Sequence, residues 1–247
     1  MIRRISFVMI SCICVTASHL IWAQDHTQAR SMIISEKGIV ASEHPLASQA
    51  AAMILAEGGH AVDAAIAANA VMGVVAPMWN GIGGDLFAIV YDAKTDSLHG
   101  LNANGWAPAN LTLEQLKSTD VEHPTGIHAV TIPGAVAGWG VLHDRFGNKP
   151  MSRLLAASIT YAKNGFPVAE RNARAWSMFK EMLADKNAKA LYLPDDLAPT
   201  IGQVFENPDL AWSLEQIASG GVNAFYRGEI TGRILAYSKA LGGKLSA

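Results

Sequence analysis

Between Gly58-Gly59 and Pro77 runs His60 to Ala76, a stretch apolar on nearly every side. Its single charge, Asp63, falls in what would be the first helical turn, where the helix dipole favours an anion. A helix with no polar face must be buried on several sides. The run is too short to span a bilayer and contains Asn69 besides Asp63, so a membrane helix is disfavoured. Ala61, Ala64, Ala65, Ala67, Ala68 and Ala70 keep it thin enough to approach a sheet closely. The stretch therefore predicts the central helix of a layered α/β core.

The flanks extend this reading. Ile39–Ala41 is a short strand candidate. Pro45 suits a first helical turn, where its missing N–H is harmless, and Leu46, Ala50 and Ile54 follow at helical spacing. After Pro77 come Gly81, Gly83 and Gly84, then an unbroken apolar strand from Leu86 to Tyr91. The turn-like Asp92–Asp96 and the run Leu98–Leu101 complete a hairpin. Thr112 begins a short helix, and His128–Ile132 is a further strand candidate closed by Pro133-Gly134. Beyond this, helical spacing appears near 135–146, 151–164, 168–184, 209–219 and 229–241. Tyr192–Pro208 carries three prolines and reads as irregular and superficial. The expected organisation is a layered α/β core over 38–133 and a mainly helical part over 134–247.

Arg3 and Arg4 precede an apolar stretch from Ile5 to Ala23, and polarity returns at Gln24. This pattern predicts an export signal over 1–23, with periplasmic or secreted location, and a flexible segment over 24–37. Ile21 and Trp22 match a small-x-small cleavage site poorly, so the cut is not fixed. Both cysteines, Cys12 and Cys14, lie inside the signal. The mature chain would then hold no disulfide, thiolate metal site or cysteine nucleophile. The net charge of -2 gives no basic excess for nucleic acid.

The residues offer little chemistry by themselves. Gly81-Ile82-Gly83-Gly84 invites a phosphate cradle, but that needs glycines before a helix, whereas in this chain a strand follows. A tight turn is the better reading. No HExxH pair or ligand cluster occurs among the eight histidines, and His123 and His128 read as loop residues rather than metal ligands. Asp85 and Asp144 are candidates for acid–base work, though turn geometry and helix-surface solvation explain them more cheaply. No GxSxG elbow is present. No catalytic residue, metal site or cofactor box is assigned.

GIVASEHPLAS, ILAEGGHAVDAAIAANAVMGVVAPMWNGIGGDLFAIVYD and VTIPGAVAGWGVLHDRFGNKP follow in order along the chain. SITYAKNGFPVAERNARAW, LPDDLAPTIGQVFENPDLAWSLEQIASGGVNAFYRGEITGRI and ALGGKLS continue the series. Together they resemble the large-subunit portion of the gamma-glutamyltranspeptidase family, from about Gly38 to Ala247. The resemblance implies an α/β (α+β) fold, the αββα sandwich of N-terminal nucleophile hydrolases, incomplete in this chain, with a helical elaboration in its second half. It implies a proenzyme that cuts itself to free a threonine, whose hydroxyl attacks an amide carbonyl while its own amine is the base. An α-amine titrates unperturbed near about 7.7–8.0, which suits that role. In the family this threonine lies downstream of the matching segment. The 247-residue chain is therefore expected to be inactive alone and to need the small catalytic subunit of the same precursor. A large-subunit remnant that only binds a separate partner is the alternative of another class, and a plain exported α/β binding domain a third.

One substrate position carries over. A family motif of the form Asp-x-Arg-Glu-x-Ala-Pro supplies an arginine to the α-carboxylate of a γ-glutamyl group. The corresponding residues in this chain are Asn102-Ala103-Asn104-Gly105-Trp106-Ala107-Pro108, so Asn104 stands in the arginine's place. A cation able to grip a carboxylate with two charge-assisted bonds becomes a neutral amide. Charged hydrogen bonds contribute about 1.5–3 kcal/mol against about 1 for neutral ones, so γ-glutamyl binding should weaken about tenfold. Asn104-Gly105 also reads as a turn. This departure, with Met78-Trp79-Asn80 before the glycines in place of a His-Ser type sequence, resembles the acylase branch, for which glutaryl or other acyl amides are the implied substrates.

Overall fold

A computed structural model describes residues 32–117 and 126–247. The chain divides into two units, Met1–Glu36 and Lys37–Ala247, and the described helices and strands all belong to the second. The expected signal over 1–23, with Cys12 and Cys14, and also His123, lie outside the described residues. Of the expected flexible segment, residues 32–37 carry neither helix nor strand.

Helix α1 (Pro45–Ala56) starts where His44 caps it, its Nδ1 accepting the Leu46 N–H at 3.2 Å. The central run forms α2 (Ala61–Val75), opened by a capping box in which His60 N–H donates to Asp63 Oδ2 at 2.7 Å. Asp63 does more than complement a dipole. It is fully buried, and its carboxylate also accepts the Asn148 N–H at 3.1 Å, tying the start of α2 to a turn 85 residues later. Helix α2 packs against α1 and against two later helices, α4 (Ala135–Phe146) and α5 (Met151–Asn164).

The expected hairpin is present as β1 (Leu86–Asp92) and β2 (Ser97–Ala103), paired antiparallel. Leu86, Ala88, Val90 and Leu101 turn toward the helical core, while Phe87, Ile89, Tyr91 and Leu98 face outward and are exposed. Helix α3 (Leu113–Lys117) starts just after Thr112, whose hydroxyl accepts the Gln115 N–H at 3.2 Å.

Two expected strands do not form. Ile39–Ala41 is irregular, because among the described residues no strand lies beside it to complete a ladder. It lines a groove with Ala61, Ala65, Ala68 and Met72, so the thin face of α2 meets this segment rather than a sheet. His128–Ile132 is replaced by a 3-10 turn over Gly126–Ala129 followed by irregular chain. Its one bond to the β2 end, Ile132 N–H to Trp106 O at 2.9 Å, cannot make a ladder beside Pro133, which has no N–H.

The second half is helical as expected, with α6 (Glu170–Phe179), α8 (Pro208–Gly220) and α10 (Glu229–Ala240), and two short helices its spacing did not reveal, α7 (Lys186–Tyr192) and α9 (Val222–Tyr226). Strands β3 (Phe166–Pro167) and β4 (Val204–Phe205) form a small second pairing. The stretch 192–208 is not superficial. Leu193, Phe205 and Asn207 are buried, and Phe205 stacks at 5.8 Å on Tyr192 and meets Trp176 edge-on at 4.9 Å. Pro194 follows the end of α7 and Pro208 opens α8, while the aromatic residues fill the core.

Candidate functional site

The site follows from how β2 leaves the hairpin. Register places Leu86 opposite Ala103 and Phe87 opposite Asn102. The alternation of β2 continues past its end: Ala103 and Gly105 are half-buried, while Asn102, Asn104 and Trp106 are exposed. Asn104 therefore stands at the open end of the outward hairpin face. Its backbone N–H bonds Asn102 Oδ1 at 2.9 Å, and among the described residues its side-chain amide has no partner. Asn104-Gly105 is irregular chain continuing from β2 rather than a turn, and the Asn104 side chain is exposed.

Close backbone approach fixes this end. A Cβ on Gly105 would lie 1.8 Å from Ile132 O, and one on Gly134 would lie 2.0 Å from Ala103 O. Only glycine fits either position. Gly105 N–H also donates to Asp85 Oδ1 at 2.7 Å, so Asp85 holds the loop rather than serving as a free acid or base.

The glycine turn completes the frame. Gly84 N–H bonds Gly81 O at 3.2 Å, and Gly84 O accepts both Gly134 and Ala135 N–H at 2.9 Å. Tyr226 OH accepts Ala137 N–H at 3.0 Å and donates to Pro133 O at 2.7 Å. Burial pushes the Tyr226 phenol above its usual range, so it stays a neutral donor. The Ala135 and Ala137 N–H groups at the start of α4 are thereby committed to protein oxygens. The glycines make a tight turn, in agreement with the sequence.

The other candidates lie elsewhere. Asp144 is exposed on α4, 3.9 Å from the His143 ring. His128 is half-buried in the 3-10 turn. Among the described residues no group of three histidine, cysteine or acidic side chains could hold a metal ion. Sequence reasoning passed over Trp106, 83% exposed on the clamped loop. The alternation of small and large residues from Asn102 to Trp106 was the available signal.

The sequence model described as Gamma-glutamyltranspeptidase matches residues 47–247. The chain is 32% identical over 229 residues to the glutathione hydrolase proenzyme of Bacillus subtilis, covering 90% of itself and 39% of that protein. It is 36% identical over 216 residues to the oxamate amidohydrolase proenzyme of Klebsiella pneumoniae, covering 85% of itself and 41% of the relative. The Helicobacter pylori gamma-glutamyltranspeptidase structure superposes with a TM-score of 0.83 at 30% identity, over 87% of this chain and 64% of that one. The cephalosporin acylase of Bacillus halodurans gives 0.78 at 36% identity, over 88% and 43%. The fold is the α/β fold of these proteins, of which the described residues carry the helices and a hairpin.

Proposed function

The chain belongs to the gamma-glutamyltranspeptidase family, and we propose that it is the large-subunit portion of an exported proenzyme that cleaves or transfers acyl groups at amide bonds. The observation that carries this reading is the unbroken family match over 47–247 together with relatives described as hydrolase and amidohydrolase proenzymes. The chain spans about two fifths of those relatives' length, and the catalytic threonine is proposed to lie in a downstream segment. That threonine's hydroxyl would attack the amide carbonyl, its amine taking the proton, and water or an acceptor amine would release the acyl group.

The hairpin supports a second subunit. Phe87, Ile89, Tyr91 and Leu98 form an apolar sheet face that the described residues do not cover, the kind of surface that packs on another sheet. The small catalytic subunit of the same precursor is the proposed cover. Export rests on the basic and apolar pattern of residues 1–23.

Asn104 favours the acylase alternative over a γ-glutamyl substrate, because no arginine is there to grip an α-carboxylate. The test is the precursor carrying the downstream segment, assayed on γ-glutamyl and glutaryl 4-nitroanilides. A weak γ-glutamyl reaction that Asn104→Arg strengthens about tenfold supports the reading. A strong γ-glutamyl preference in the unaltered enzyme refutes the assignment to Asn104. Robust turnover by the 247-residue chain alone refutes the downstream nucleophile.

A further inference from the structure

We infer that the cleft between the glycine turn and helices α8, α9 and α10 binds a free α-amino acid with an apolar side chain. The inference lies apart from the amidase reading and does not rest on it.

The cleft holds about 400 Å³, within the usual range of small-molecule sites. Its floor is apolar, with Ile82 from the glycine turn, Phe225 from α9, and Ile230 and Ile234 from α10. Phe225 and Ile230 are buried, so the floor is continuous with the core. Two charges of opposite sign, Asp209 and Arg233, line the same cleft. They are not paired with each other. Among the described residues Asp209 is in no ion pair, while Arg233 donates its Nε–H and an Nη2–H to Glu229 Oε1 at 3.1 and 2.7 Å. The guanidinium also lies 4.1 Å from the centre of the Trp212 ring, which lines the cleft as well. Both bonds and the indole orient the fork. A guanidinium carries five N–H groups, so its Nη1 edge is left for a ligand carboxylate. Asp209 stands three residues before Trp212 on α8, hence on the helix face that carries the ring under Arg233. An apolar acid would meet the Asp209 carboxylate, and an apolar amine would meet the Arg233 cation. A zwitterion satisfies both, and its apolar side chain covers the floor.

The experiment is isothermal titration calorimetry on the 247-residue chain and on the precursor carrying the downstream segment. The probes are L-leucine, 4-methylpentanoate (leucine without its amine), 3-methylbutylamine (leucine without its carboxylate) and glycine. Leucine should bind at least about tenfold more tightly than each of the other three. Arg233→Gln should weaken leucine about tenfold and leave 3-methylbutylamine no weaker. Asp209→Asn should weaken leucine to a similar degree and leave 4-methylpentanoate no weaker. Both positions are exposed, so both variants should fold. Equal affinity for leucine and either of its halves overturns the inference, as does no binding of leucine up to about 10 mM. Unchanged leucine affinity in the two folded variants also overturns it. Binding to the shorter chain but not to the precursor makes the cleft a packing face for the downstream segment, and overturns it too. The readout is binding, so none of these outcomes decides whether the precursor is an amidase.

Discussion

Asp85 Oδ1 accepts the backbone N–H of Gly105 at 2.7 Å, joining residues 20 apart in sequence. This bond closes the end of the hairpin from which Asn104 and Trp106 project. A carboxylate that might have been read as a catalytic acid is thereby a brace for the loop beside it.

Replacing Asp85 with Ala should free that loop. The lost bond is charged but exposed, so the expected destabilisation is about 1 kcal/mol. Amide exchange at Gly105 should quicken well beyond the global change, which hydrogen exchange with residue resolution would detect. Unaltered protection at Gly105 would mean that Ile132 and Gly134 hold the loop without Asp85.

Gly105→Ala and Gly100→Ala form a matched pair. An added methyl on Gly105 would lie 1.8 Å from Ile132 O and 2.9 Å from Thr131 Oγ1, whereas nothing lies within 4 Å of one on Gly100. Urea unfolding should show a loss of about 2–3 kcal/mol or more for the first and under about 0.5 for the second. Equal effects would contradict the close approach of these two segments.

Asp63→Ala should be among the costliest single changes. It removes a fully buried carboxylate and leaves the His60 and Asn148 N–H groups without that acceptor. A loss of about 3 kcal/mol is expected in equilibrium unfolding. Asp63→Asn should recover part of it, since an amide oxygen still accepts one N–H.

His44 sets an acid limit on stability. It is buried, its Nδ1 accepts Leu46 N–H, and among the described residues its Nε2 has no partner. Burial lowers its folded pKa, against a smaller opposing pull from Glu43. Below the unfolded value of about 6.5 the unfolded chain takes up a proton that the folded one refuses. Stability is thus full above that pH and falls as the pH drops toward the lower folded value. His44→Asn keeps a capping oxygen and removes the titration, so its unfolding midpoint should change less between pH 7.5 and 5 than that of the unaltered chain. Identical pH profiles would assign the acid loss to other groups.

The elements legible in the sequence are those whose signal is local. The all-apolar run His60–Ala76, the Pro45 start, the Asp92–Asp96 turn and the periodicity of 135–164 each state their own conformation through sterics and burial. The ordered motifs from Gly38 onward also identified the family, which the comparisons bear out. What one strand does depends on whether another lies beside it, so Ile39–Ala41 and His128–Ile132 read as strands and are not. Likewise the prolines of 192–208 announced an irregular chain, but only packing decided that Phe205 and Leu193 would enter the core. Asn104 was placed by resemblance, and its exposed edge beside Trp106 and Asp85 came from tertiary contacts. Sequence alone determined the longer helices, the hairpin and the lineage, because these follow from patterns within a few residues. Tertiary structure alone decided that Gly105, Ile132, Gly84 and Gly134 would meet, because backbone approach between distant segments leaves no trace in periodicity beyond glycine itself.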